Sequence, residues 1–323
     1  MNFTEIDRAG TVEGFALVKS CEKKNAKNGT VYLDLILTDS TGEINAKIWD
    51  YREGSYLPKL HSIVKIRGTQ SVYNNRAQLT INKIRDIWDS DNVSLSDFVP
   101  SSEYDGKFLL ETIFSIINDF ENDELKKLVK AVLDEYGEKM EEWPAATRNH
   151  HAMRGGLLTH TLSIVRLCEA VAEIYPSVDR ELLVAGAILH DICKVDEFNV
   201  SPVGLAESYT VNGELLGHLV MGAMAVDRIG REAGISDETL MLIEHMLISH
   251  HNIPEYGAAK RPMFLEAEIL AHLDNLDAAI YEIEDAVRNI KPGEISPRIY
   301  CLEDRKFYNH GRKIVSTKVK LDE

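Results

Sequence analysis

The apolar residues of this 323-residue chain change their period once, between residues 88 and 105. Before that stretch they alternate or cluster in short runs: Gly14 to Val18, Tyr32 to Leu37, Ile44 to Trp49, Ile63 to Gly68 and Gln78 to Ile87. Turn residues separate the runs, with Lys27-Asn28-Gly29, Thr41-Gly42 and Tyr73-Asn74-Asn75 at the breaks. Five short strands in so small a span predict a closed barrel rather than an α/β unit. From Gly106 onward the apolar spacing is three and four, and helices are predicted near 155–175, 179–192, 213–233, 236–250 and 264–290. Spacing that lines one face of a strand scatters around a helix, so the two parts cannot share one architecture. The expected organisation is a β-domain at 1–90, a Ser/Asp-rich linker at 91–105 and an all-α domain at 106–323 with an extension after Lys291.

The length suits two domains, and a 44% hydrophobic content can fill two cores. No apolar run is long enough for a membrane helix, and the first residues carry acids instead of an apolar core, so no secretory signal is expected. Cys21, Cys168, Cys193 and Cys301 are widely spaced and form no CxxC pair. A disulfide scaffold or zinc ribbon is not expected; free thiols in a reducing cytoplasm are.

The net charge of −16 argues at first against a nucleic-acid partner. Residues 1–90, however, hold 13 Lys/Arg against 11 Asp/Glu, a net +2, and the remainder holds 23 against 41, a net −18. The β part is mildly basic inside a very acidic protein. Binding is then expected on the barrel and in a local cleft, with low tolerance for salt.

Nine of the eleven histidines fall between His150 and His272. The sharpest feature is His190-Asp191, at the end of the apolar stretch LLVAGAILHD. His160, His218, His250, His251 and Asp274 also interrupt apolar helical sequence. A buried polar group without a partner is costly, and helices converging on a shared metal centre would satisfy all of these positions at once. A lone His is usually a hydrogen-bonded core or surface residue, the reading given to His245, His272, His61 and His310. The order H…HD…H…HH…D is harder to assign to chance.

These positions resemble a known family. His160, His190-Asp191 and Asp274 are similar to the four signature positions of HD-domain metal-dependent phosphohydrolases. His218 and His250 or His251 resemble the further ligands of two-metal members. The segments HHAMRGGLLTHTLSIVRL, GAILHDICKVDEF, GELLGHLVMG, ISHH and AHLDNLDA are similar to the HD domain of YhaM-type 3′→5′ exoribonucleases. FALVKSCEKKNAKNGTVYLDLILTDSTGEINAKIWD resembles the OB-fold domain of the same group. The resemblance implies an N-terminal five-stranded OB-fold β-barrel followed by an all-α HD-domain bundle.

It also implies two divalent ions, with Mn²⁺ favoured; His/carboxylate ligation equally suits Fe²⁺, Co²⁺ or Zn²⁺. Asp191 is the candidate bridge, with His160, His190 and Asp274 on one ion and His218 and His250 on the other; His251 is an equal candidate for the inward position. Lys194 contacts a substrate phosphate or is a helix-end cation, and Arg154 reaches a phosphate or is a solvated loop residue. Asp277 orients a ligand or lies on the surface; His150 and His151 are weaker candidates for the cleft.

The expected substrate is single-stranded RNA, cut from the 3′ end to nucleoside monophosphates, with single-stranded DNA as a further candidate. On the barrel, bases would stack on Tyr32, Trp49, Tyr51 and Tyr73 while Lys19, Lys23, Lys24, Lys27, Lys47, Arg67 and Arg76 track the backbone. Trp49 is equally readable as barrel core. Two alternatives stay open: an HD phosphohydrolase acting on a nucleotide or cyclic dinucleotide, and an RNA-recruiting module with a degenerate HD domain. No membrane partner is expected. Self-association is open, as is whether the segment after Lys291 folds over the cleft.

Overall fold

Thr11–Asn25 forms one long strand, β1, which extends well past the expected run of Gly14 to Val18. Its first half pairs with β4 (Ile63–Tyr73) and its second half with β2 (Val31–Asp39), and an irregularity between Val18 and Ser20 lets it turn from one to the other. Lys23 and Lys24 therefore lie on a strand, and the turn is confined to residues 26–30. Antiparallel β3 (Gly42–Ile48) follows β2, and a parallel pairing of Asn45–Lys47 with Gln78–Thr80 of β5 (Arg76–Asp86) closes a five-stranded barrel in the order β1-β2-β3-β5-β4. Closure leaves no free sheet edge. Alternation on β2 sends Leu33, Leu35 and Leu37 inward, where they meet Ala16, Ile66 and Leu79. This computed structural model describes residues 10–39, 42–73, 76–147, 151–288 and 290–312, without the side chains of Val72, Tyr73 and Arg76. The expected turns at Thr41 and at Asn74-Asn75 lie outside that range.

Two 3₁₀ turns, Asp89–Asp91 and Leu95–Asp97, occupy the stretch after the barrel, and the chain divides into two compact units after Ser101. The second unit is helical: α1 Gly106–Asn118, α2 Asp123–Met140, α3 Gly156–Ile174, α4 Arg180–Leu189, the short α5 Lys194–Glu197 and α6 Val211–Leu215, then α7 Gly217–Ala233, α8 Asp237–Ser249 and α9 Leu265–Arg288. Side-chain caps set many of the starts. Asp105, Asn122, Asp179, Thr210 and Ser236 each accept from backbone N–H groups that the first turn leaves without partners. Leu109, Ile113, Leu128, Leu157, Leu183, Ile188 and Met246 meet in one core. No helix among the described residues is long and apolar enough to cross a membrane.

Two features depart from the period-based reading. A hairpin, β6 (Phe198–Val200) with β7 (Ala206–Tyr209), follows α5; its strands are too short to show a period. The helix expected over 213–233 breaks into α6 and α7 at Gly217, whose φ of +70° lies in the left-handed region. Glycine adopts that conformation without the steric cost that a Cβ brings. The break aims His218 inward at the start of α7. Gly217→Ala is expected to destabilise the protein by about 1–2 kcal/mol, read by denaturant titration, with Gly217→Asn losing less.

Candidate metal centre

The helical unit brings His160, His190, Asp191, His218 and His250 together, each buried. His160 comes from the second turn of α3, His190 and Asp191 from just past the end of α4, His218 from the first turn of α7, and His250 from the end of α8. Asp274 comes from α9.

The Asp191 carboxylate sits at the centre. Its Oδ2 lies 3.2 Å from His190 Nε2 and 3.5 Å from His160 Nε2. Its Oδ1 lies 3.2 Å from His218 Nε2 and 3.8 Å from His250 Nε2. Asp274 Oδ1 adds to the first pair, 3.1 Å from His160 Nε2 and 4.0 Å from His190 Nε2. The two oxygens thus face two separate sets of donors.

In every case the other ring nitrogen is held. His190 Nδ1 faces the Ala187 carbonyl at 2.7 Å, and His250 Nδ1 the Leu247 carbonyl at 2.7 Å. His160 Nδ1 faces Asp277 Oδ2 at 2.8 Å, and His218 Nδ1 faces Glu197 at 3.0 Å. Acceptors at Nδ1 place the proton there and leave the Nε2 lone pair directed inward. His218 Nε2 and His250 Nε2 are buried and make no hydrogen bond. Inward lone pairs with two carboxylates are a donor set that fits divalent metal ions.

The charges respond to this crowding. Burial would raise the Asp191 carboxyl, but the His190 and Lys194 charges hold it well below the usual carboxylate range. Burial would lower His160, but the carboxylates of Asp274 and Asp277 push it up to about 9. His218 is raised against its burial by Asp191 and Glu197. Burial, with His251 and His190 beside it, lowers His250 well below its ordinary value, so it stays neutral.

Several expectations need correction. Lys194 is not an exposed helix-end cation: it opens α5, is buried, and holds its ammonium 2.7 Å from Asp191 Oδ2. The Arg154 guanidinium pairs with Glu142 instead of pointing at the cluster. Asp277 is not a surface acid; it anchors both His160 and His151, whose Nε2 is 3.0 Å away. His251 stands beside His218 and His250 and holds its Nδ1 to the Tyr256 carbonyl, so both adjacent histidines reach the site. His150 lies outside the described residues. Glu197 escaped the sequence reading: it stands beside a second acid, Asp196, and only the fold buries one and exposes the other. A cavity of about 820 Å³ opens beside the cluster, walled by Lys194, His218, His251 and Asp274 on one side and by Tyr300 to Asp304 on another. Of the described residues after Lys291, Tyr300, Cys301, Glu303 and Asp304 thus line the cleft of their own unit.

On the barrel, Trp49 is 43% exposed and so is not core; its ring lies 4.8 Å from Tyr32, with Lys47 over both. Lys23 lies over Tyr51. Lys24 pairs with Asp34, Lys19 with Glu43 and Arg67 with Glu13, while Lys27 is exposed in the turn. Tyr73 and Arg76 pair across the β4–β5 end, their side chains outside the described part. A groove of about 660 Å³ beside Trp49 and Tyr51 is lined by Tyr56, Lys65, Arg67 and Lys83; of these only Arg67 was expected.

Comparison with known proteins places this geometry. The chain is 41% identical over 300 residues to the 3′-5′ exoribonuclease YhaM of Geobacillus sp. (strain WCH70), covering 92% of this chain and 91% of that protein. The chain belongs to the YhaM family. The same-named protein of Bacillus subtilis (strain 168) is 37% identical, covering 92% of this chain and 94% of its own length. The family described as HD domain matches residues 157–279, the span from α3 to α9 that carries the whole donor set, and a family described as a putative helicase matches 103–176. The protein is thus a hydrolase of the HD superfamily. Among solved structures, the second OB-fold domain of replication protein A from Methanococcus maripaludis is 22% identical, with a TM-score of 0.20, covering 25% of this chain and 85% of that one. A likeness at that score carries no argument; the barrel rests on its own strand order.

The raised His160 gives a signed prediction. With its ordinary value near 6.5 and its folded value near 9, the protonated ring stabilises metal-free protein fully below about pH 6.5 and progressively less up to about pH 9. Thermal denaturation of chelator-treated protein is expected to weaken across that range, and Asp277→Asn to flatten the decline.

Proposed function

We propose that this protein is a metal-dependent 3′→5′ exoribonuclease that degrades single-stranded RNA to nucleoside monophosphates. The observation that carries the reading is the Asp191 carboxylate lying between two pairs of inward imidazole nitrogens in a member of the YhaM family. One oxygen of Asp191 with His160, His190 and Asp274 would hold one divalent ion. The other oxygen with His218, His250 and His251 would hold a second. Mn²⁺ is the favoured ion by family resemblance, and nitrogen-rich ligation disfavours Mg²⁺. Bound ions in such a site supply an acidified water and offset charge on the phosphoryl oxygens. The residues of the chain do the rest. Asp277 and Glu197 fix the orientation of His160 and His218. The Lys194 ammonium, buried at the cavity wall, balances negative charge and attracts the phosphate. Arg154 pairs with Glu142 and is given no role in this reading.

The barrel would grip the strand. Tyr32 and Trp49 offer a stacking step with Lys47 above it, and the groove beside Tyr51 adds Lys65 and Lys83. Every base has a π-face, so this grip accepts RNA and single-stranded DNA alike.

The deciding experiment is degradation of end-labelled single-stranded RNA with Mn²⁺. Shortening from the 3′ end is expected, and a folded Asp191→Asn variant that works at the normal rate would sink the assignment. Glu197→Gln and Asp277→Asn should each lose about 10–100-fold in metal affinity or rate. Mn²⁺ should bind more tightly as pH rises from about 6.5 to about 9, releasing the His160 proton; titration calorimetry in buffers of different ionisation enthalpy reads that release. Trp49→Ala should weaken RNA binding by about 1–3 kcal/mol in an anisotropy titration, leaving metal affinity unchanged.

A further inference from the structure

The segment after α9 is a small hairpin, closed by bridges Ile295–Tyr308 and Ile299–Arg305. It is tied to the end of α9 by Asn309, whose side-chain amide donates to the carbonyls of Val287 at 3.2 Å and Ile290 at 2.9 Å. The same helix carries Asp274 and Asp277, so the hairpin is mounted on an element of the metal centre.

The tip of the hairpin lines the 820 Å³ cavity through Tyr300, Cys301, Glu303 and Asp304. Glu303 and Asp304 have φ of +56° and +55°, consecutive non-glycine residues in the left-handed region. Such residues cost energy and concentrate where function demands them. Arg305 lies 4.0 Å from the Glu303 carboxylate, Arg298 donates to the Asp304 backbone carbonyl at 3.2 Å, and Asp304 makes no side-chain ion pair among the described residues. Tyr300 and Tyr256, both lining the cavity, are 89% and 61% exposed, so neither ring serves the core.

The cavity is therefore polarised. One side presents the buried Lys194 ammonium and the inward imidazoles, with its two carboxylates already engaged, Asp274 by His160 and Glu197 by His218, which suits a phosphate. The side made by the hairpin tip presents two carboxylates, which repel a phosphate and accept hydrogen bonds from hydroxyl groups. Exposed tyrosine rings offer π-faces for a base. The volume lies within the about 300–1,000 Å³ typical of small-ligand pockets.

We infer that this cavity holds the 3′-terminal nucleoside of the substrate, and that Glu303 and Asp304 select ends bearing a free 3′-hydroxyl over ends bearing a 3′-phosphate. The inference rests on the exoribonuclease reading, and it adds a reason for attack at the 3′ end. With the scissile phosphate at the metal side, the terminal ribose reaches toward the hairpin tip, and a further phosphate there would meet like charge.

The test compares adenosine 5′-monophosphate with adenosine 3′,5′-bisphosphate by titration calorimetry on the full Mn²⁺-loaded chain. The bisphosphate carries more negative charge and would bind a merely cationic site more tightly. The expected result is the reverse, a preference of at least about 10-fold for the monophosphate. Glu303→Gln/Asp304→Asn, both at exposed positions, should erase that preference, chiefly by tightening the bisphosphate. Tyr300→Ala should weaken both ligands by a common factor. Equal or tighter binding of the bisphosphate by the wild type, no monophosphate binding, or a preference unchanged in the double variant would overturn the inference. A parallel assay uses RNA ending in 3′-hydroxyl or 3′-phosphate. Equal degradation of both removes the inference and leaves the exoribonuclease reading standing. No degradation of either, with the nucleotide preference intact, removes that reading and leaves the end-selective pocket.

Discussion

The carboxylate of Asp191, 1% exposed, is the constraint around which the helical unit is arranged. A buried charge is expensive to leave uncompensated. Its cost is offset by four imidazole edges and one ammonium drawn from α3, α4, α5, α7 and α8. In the metal-free state Lys194 and the raised His160 carry the balancing positive charge. A divalent ion would take over that role, which is why the same residues that balance Asp191 compete with metal through their protons.

The four histidines are oriented by two devices, and helix position decides which. His190 and His250 sit at the C-terminal ends of α4 and α8, where the last carbonyls lack helical donors. Each ring donates to the carbonyl three residues back, Ala187 or Leu247. His160 lies in the second turn of α3 and His218 in the first turn of α7, away from the free carbonyls of a helix C-terminus. Each needs a carboxylate from elsewhere, Asp277 for His160 and Glu197 for His218. Glu197 also accepts the His218 backbone N–H, capping the helix that begins after the Gly217 break. Loss of either acid is therefore felt at the ligand and not merely at the surface.

The charge asymmetry of the chain follows the same logic. The barrel carries a slight excess of bases, and several pair locally, as Lys24 does with Asp34 and Arg67 with Glu13. What sets it apart is the overlap of cations with the exposed ring of Trp49 and the half-buried rings of Tyr32 and Tyr51, through Lys47 at the first pair and Lys23 at Tyr51. The helical unit is strongly acidic overall, yet its buried cleft places an ammonium and imidazoles where an anion would enter. Local arrangement outweighs net charge at short range, because screening removes distant surface charges first.

By itself the sequence determined the two architectures, because period two and period 3.6 bury different faces, and it determined which residues could ligate, because His and Asp in apolar helices require partners. It exposed His160, His190, Asp191, His218, His250, His251 and Asp274 as candidates, and the family resemblance suggested how they group. The Gly217 break, the β6–β7 hairpin and the length of β1 were not legible: the break depends on one backbone angle, the hairpin strands are too short to show a period, and the extent of β1 is set by its pairing with β2 and β4. Only the tertiary structure decided that Lys194 is buried against Asp191, that Arg154 belongs to Glu142, that Glu197 and Asp277 hold two of the rings, and that the hairpin after α9 walls the cleft. These are contacts between residues far apart in sequence or on different elements, and their geometry exists only once the helices have packed.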